Sequence, residues 1–156
     1  MEEIDKHIFY MQEAYSLAKQ AEALQEVPIG AVVVKDGIIL GRGYNRREMD
    51  GNPIAHAEIV AIQEASQALG GWRLEGCDLY VTLEPCPMCA GAIIQARINQ
   101  VVYATEDPKA GYAGSLYNLL QDERLNHQTK VVSGVLKEEC QHLLKDFFQQ
   151  LRKRKK

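Results

Sequence analysis

Residues 27–45 run VPIGAVVVKDGIILGRGYN, two apolar stretches around Asp36-Gly37. An Asp-Gly pair suits the two positive-φ positions of a tight type I′ turn, so the segment predicts a β-hairpin. A hairpin with one wet face alternates apolar and polar residues, whereas these runs are continuously apolar. The hairpin is therefore expected to be covered on both faces. The rest of the chain supplies the covers. A helix from about Ile4 to Leu24 carries apolar residues at Ile8, Met11, Tyr15, Ala18 and Ala21, near the 3.6 period. A second runs from about His56 to Leu69 and is stopped by Gly70-Gly71. Residues 77–83 (CDLYVTL), 100–105 (QVVYAT) and 130–134 (KVVSG) predict strands. Between and after them, helices are expected from Pro87 to about Arg97, near Ser115 to Leu125, and from about Lys137 to Leu151. Strands alternating with helices predict a three-layer α/β domain. A length of 156 residues suits one core, and no repeat or linker divides it. Residues 1–156 are expected to form a single domain.

No apolar run approaches the length that crosses a bilayer, and the opening MEEIDKHIF is too acidic and polar for a signal peptide. The expectation is a cytoplasmic protein with no membrane partner. In that setting the four cysteines, Cys77, Cys86, Cys89 and Cys140, point to a metal or catalytic role before a disulfide framework. The formal charge of −3 gives no hint of a nucleic-acid binder, but its distribution does. Lys145, Arg152, Lys153, Arg154, Lys155 and Lys156 face Asp146 alone in the last twelve residues, a basic tail centred on about 152–156. A solvated, frayed terminus is the other reading of such a tail.

Cys86 and Cys89 stand three apart, with Pro87 between them at what reads as a first helical position. Residues at i and i+3 share a helix face, so both sulfurs can address one atom, and the helix N-terminus favours thiolate. Alone, this C-x-x-C suits zinc, a redox pair or two packed side chains. His56 also stands where a loop enters a helix, and it adds a ligand of a type zinc accepts. Three protein ligands describe a catalytic zinc, with the fourth place left to water. Glu58 is then free to act as a base beside the metal. Cys77 and Cys140 read as small buried hydrophobes. The segment GRGYNR begins like a dinucleotide fingerprint but has Arg46 in place of the third glycine.

His56-Ala57-Glu58 followed by Pro85-Cys86-Pro87-Met88-Cys89 resembles the zinc signature of the cytidine/deoxycytidylate deaminase superfamily. The likeness extends through EVPIGAVVV, GRGYNRRE, AHAEIVAI, WRLEG, LYVTLEPCPMCAGAI, ARI, DPKAGYAGSL, LNH and DFF. These blocks, from about Glu26 to Phe148, resemble the bacterial tRNA-specific adenosine deaminases. The resemblance implies a cytidine-deaminase-like α/β/α fold with a five-stranded mixed sheet. It also implies one Zn2+ per chain on His56, Cys86 and Cys89, with Glu58 moving the protons. It implies a homodimer that deaminates the wobble adenosine of a tRNA anticodon stem-loop, an arginine anticodon foremost.

The resemblance also carries a substrate set. Asn45 matches a base-contacting asparagine, and Val27 and Ile29 match apolar positions lining the base pocket. Asp107 matches a contact to the neighbouring nucleotide, and Phe148 an aromatic near the flipped base. Read without the family, Asn45 is a turn residue, Val27 and Ile29 are core, and Phe148 is helix packing. Two rivals stay open at this point. One is deamination of a free nucleoside or base such as cytidine or guanine. The other is a zinc-binding, RNA-interacting protein without catalysis.

Overall fold

The structure is a computed structural model that describes residues 2–154, so Lys155 and Lys156 of the basic tail lie outside the described residues. Helix α1 spans Glu3–Ala23 and leads into strand β1 (Gly30–Lys35). Strand β2 (Ile38–Tyr44) returns, with Asp36 at φ 50° and Gly37 at φ 78°, the two positive values of the predicted type I′ turn. Helix α2 (Ala57–Leu69), strand β3 (Asp78–Leu83), helix α3 (Pro87–Ala96) and strand β4 (Gln100–Thr105) follow. Strand β5 (Lys130–Ser133) and helix α4 (Lys137–Arg154) complete the order. The sheet runs β2-β1-β3-β4-β5. β1 is antiparallel to β2 and β3, while β3, β4 and β5 are parallel.

The period of two decides the layers. Ala31, Val33, Leu79, Val81, Val101 and Tyr103 face one side and pack under α2 and α3. Val32, Val34, Tyr80, Val102 and Ala104 face the other side, with α1 and the start of α4. This is the three-layer α/β/α arrangement with a five-stranded mixed sheet that the resemblance implies. β1 is covered on both faces as expected. β2 is covered more thinly. It is one of two edge strands, with Leu40 and Ile39 packed partly buried against the two clusters on opposite faces. Ile38, beside the turn, is 62% exposed.

The glycines of GRGYNR have a packing role. A Cβ on Gly41 would lie 2.1 Å from the Ala61 carbonyl oxygen, and one on Gly43 2.3 Å from that of Ala57. The alanine stripe 57-61-65 of α2 therefore rests directly on β2.

One expected element is absent. The stretch from Ser115 to Leu125 forms turns with a single 3₁₀ turn at Leu119–Gln121. Its amides are committed elsewhere: Ser115 N–H donates to Glu84, Leu119 N–H to the Tyr112 carbonyl and Arg124 N–H to Asp122. Polar side chains that bond nearby backbone compete with the helical ladder. Leu120, fully buried, holds the loop down onto the core.

Candidate functional site

The topology gathers one rim of the sheet. Because β1 is antiparallel to both neighbours, its start lies beside the ends of β2 and β3, and β4 ends next to β3. Val27 and Ile29 before β1, Asn45 after β2, Leu83 at the end of β3 and Thr105 at the end of β4 accordingly line one cavity of about 880 Å³. Helices α2 and α3 begin at this same rim, where α/β sheets place ligands.

His56 is the N-cap residue of α2 and Cys86 that of α3, both with extended backbone and neither making a side-chain cap bond. Ser, Thr, Asp or Asn at such a position would bond a free N–H and contribute about 1 kcal/mol. Here the two side chains turn toward each other instead. The Sγ atoms of Cys86 and Cys89 lie 3.6 and 3.5 Å from His56 Nδ1. The three donor atoms fall within 4.8 Å of one another, and among the described residues no fourth His, Cys, Asp or Glu joins them. Zinc bonds of about 2.0–2.1 Å to nitrogen and 2.3 Å to sulfur, opened to a tetrahedral angle, set N and S about 3.5 Å apart. The donor set and its spacing fit that ion.

The three groups are close enough to perturb one another's protonation. Cys86 is pushed down to about 4, first by its hydrogen bond with the Cys89 thiol and then by His56. Cys89, which shares its proton with Cys86, is pushed up, and His56 is raised through its bond to Cys86. Glu58, in the first turn of α2, is 4% exposed. Burial pushes its carboxyl up to about 7; a backbone hydrogen bond opposes this and the Cys86 charge adds to it.

All five substrate residues expected from the resemblance, Val27, Ile29, Asn45, Asp107 and Phe148, line the cavity together with His56. Asn45 is buried: its Nδ2 donates to the Val27 carbonyl at 3.4 Å, and its Oδ1 accepts from the Arg47 N–H at 3.2 Å. Asp107 Oδ1 accepts from the N–H groups of Lys109 and Ala110 at 3.1 and 3.2 Å. On α4, Phe147 is core, whereas Phe148 is 41% exposed and turned to the cavity. Cys77 and Cys140 are buried away from the cluster, as small hydrophobes.

Sequence reasoning overlooked two basic residues on the cavity wall, Arg47 and Lys109, which join Lys145 and Arg152 of the basic C-terminal stretch there. It also overlooked two buried carboxylates. Glu26 accepts from the N–H groups of Glu48 and Met49 at 3.1 and 2.6 Å. Glu84 accepts from the loop after β4. The visible signal for both was an acidic residue set against an apolar strand.

The chain matches the MafB19-like deaminase family over residues 5–152. It is similar to the tRNA-specific adenosine deaminase of Bacillus subtilis, 59% identical over 94% of this chain and 91% of that protein. Among solved structures it resembles one from work on A-to-I editing by tRNA:A34 deaminases at the wobble position of transfer RNA. That match has a TM-score of 0.84 and 43% identity, over 87% of this chain and 99% of the other. A guanine deaminase from Bacillus subtilis is 44% identical over 69% of each chain, with a TM-score of 0.63. With a relative this similar along nearly its whole length, the chain belongs to the tRNA-specific adenosine deaminase family.

Proposed function

We propose that this chain is a zinc-dependent enzyme that hydrolyses the wobble adenosine of a tRNA anticodon stem-loop to inosine, with an arginine anticodon as its first substrate. The observation that carries the reading is the His56, Cys86 and Cys89 cluster with buried Glu58 beside it, under a cavity lined by apolar, amide and basic groups.

Zinc held by His56, Cys86 and Cys89 would supply a Lewis acid that makes a water molecule acidic enough to yield its proton. Glu58 accepts that proton and delivers it to the ring nitrogen next to the amino-bearing carbon. The hydroxide oxygen bonds to that carbon. Glu58 then takes the second proton from this oxygen and passes it to the amino group, whose bond to carbon breaks as the carbonyl forms and ammonia leaves. Water and adenosine thus become inosine and ammonia. Asn45, with Val27 and Ile29, holds the base: an amide for its polar edge and apolar walls for its faces. Phe148 replaces a stacking partner lost when the base leaves its loop. Asp107 addresses the neighbouring nucleotide, and Arg47, Lys109, Lys145 and Arg152 answer the phosphates.

A free-base reading has one observation in its favour, the similarity to a guanine deaminase. The phosphate-suited rim favours RNA. The homodimer implied by the family finds support in exposed Trp72, which with Ile62 and Ala92 lines an apolar hollow on α2 and α3. Among the described residues no helix is long and apolar enough to cross a membrane. One domain, residues 1–156, would carry the activity.

The test is inosine formation on an adenosine-containing arginine anticodon stem-loop by wild type and Glu58→Ala. Inosine from wild type alone supports the reading. Consumption of free guanine or cytidine without inosine overturns the RNA assignment, and equal behaviour of the two proteins overturns the enzyme.

A further inference from the structure

Glu84 follows β3 directly and stands two residues before Cys86. Its side chain is 2% exposed, and its hydrogen bonds all go to one segment. Oε1 accepts from the Asp107 N–H at 3.0 Å and from the Ser115 hydroxyl. Oε2 accepts from the N–H groups of Ala113 and Ser115 at 3.0 and 2.9 Å. Among the described residues no Lys or Arg pairs with it. A buried carboxylate must be satisfied by donors, and here a single loop provides them.

The loop is shaped to do so. A Cβ on Gly111 would lie 2.3 Å from the Glu84 carboxyl carbon, so only glycine lets the chain close over it. Apart from one bridge between Ala113 and Asn118, residues 106–118 belong to no helix or strand. Yet Asp107, Pro108, Lys109 and Ala110 of this loop form a wall of the cavity. That wall is fastened to the end of β3 by the Glu84 side chain and by the Tyr112 N–H, which donates to the Pro85 carbonyl at 2.8 Å.

We infer that Glu84 is a positioning residue for substrate recognition: it fixes the Asp107 wall in register with the cysteine-bearing start of α3. The inference rests on the cavity being the RNA site. It separates Glu84 from a residue that serves stability alone, because binding and turnover should then respond differently. Glu84→Gln keeps the shape but turns an NH2 group toward N–H donors, so one arm of the clamp is lost. Gly111→Ala breaks the same contact from the loop side.

Both variants, as full-length zinc-loaded protein, should keep wild-type metal content. Losing one arm of a buried, charge-assisted clamp should raise KM for the anticodon stem-loop by about tenfold, with kcat lowered far less. Amide exchange should quicken at Asp107, Ala113 and Ser115 and stay slow in α3, and the double variant should be no worse than the poorer single one. Unchanged KM and unchanged exchange would overturn the inference, as would equal losses in KM, kcat, zinc and protection throughout. Should Glu84→Gln not fold, Ser115→Ala removes only the hydroxyl donor. A KM raised about threefold at constant kcat would support the clamp, and an unmoved KM would refute it. If wild type forms no inosine, the functional reading fails by itself. The exchange data then decide whether Glu84 clamps the wall, and retained protection in Glu84→Gln would overturn it.

Discussion

The Cys86–Cys89 pair and the Asp107–Ser115 loop stand at the same rim and are held in opposite ways. The cysteines sit on the first turn of α3, where Pro87 and the N-cap geometry fix both sulfurs within four residues of chain. The loop has almost no regular structure and is held by a carboxylate 23 to 31 residues earlier in sequence. Local geometry positions the chemistry, and long-range satisfaction of one buried charge positions the wall. Damage to the first should abolish the reaction outright, and damage to the second should weaken recognition while leaving the chemistry intact.

Cys89→Ala should have the largest effect. It leaves two donors where three fit zinc, so bound metal measured per chain should fall from about one to a small fraction, and activity with it. Full retention of zinc would refute the three-ligand cluster. Glu58→Gln should come next and differ in kind. Zinc should stay at about one per chain while kcat drops roughly 10²- to 10⁴-fold, the usual worth of a positioned acid–base group. A variant that loses metal and rate together would make Glu58 part of the metal site.

The same contrast explains what the sequence disclosed. The β1 and β2 strands, their turn, both helix starts and the metal-ligating types carry signals within a few residues, and the structure has them within a residue or two. The stretch from Ser115 to Leu125 has apolar residues at helical spacing, yet Glu84, Tyr112 and Asp122 claim its amides, and that competition has no local signature. Glu84 itself passed unnoticed because its partners are distant. The thinner cover of β2 had the same cause: strand order decides which apolar run lies at an edge. Arg47 and Lys109 looked like ordinary surface charges until the rim brought them to one cavity.

Helix α4 offers an intermediate case, a cavity wall held by its own packing. Phe147 and Phe148 are adjacent but divide the work. Phe147→Ala should cost about 3–5 kcal/mol of stability as a core truncation, read as a lower Tm. Phe148→Ala should leave Tm nearly unmoved and cost about 1–3 kcal/mol of stacking in stem-loop binding. A Phe148→Ala variant that destabilises as much as Phe147→Ala would place both in the core.

The smallest effect should come from ending the chain at Leu151. Of the residues removed, Arg152 lines the cavity and Lys153 and Arg154 are exposed at the end of α4. Their pull on phosphate is long-range and screened, so it acts on affinity and on its salt dependence, not on turnover. For single-stranded RNA each lost phosphate contact flattens the slope of log K against log salt by about 0.7, which amounts to roughly threefold between 50 and 200 mM salt. The truncated chain should therefore bind the stem-loop more weakly at low salt, approach wild type as salt rises, and keep its kcat. Equal affinity at low salt would mean that the basic end of α4 is solvated and contacts no RNA. Lys109 and Arg47, elsewhere on the cavity wall, would then carry the phosphate recognition.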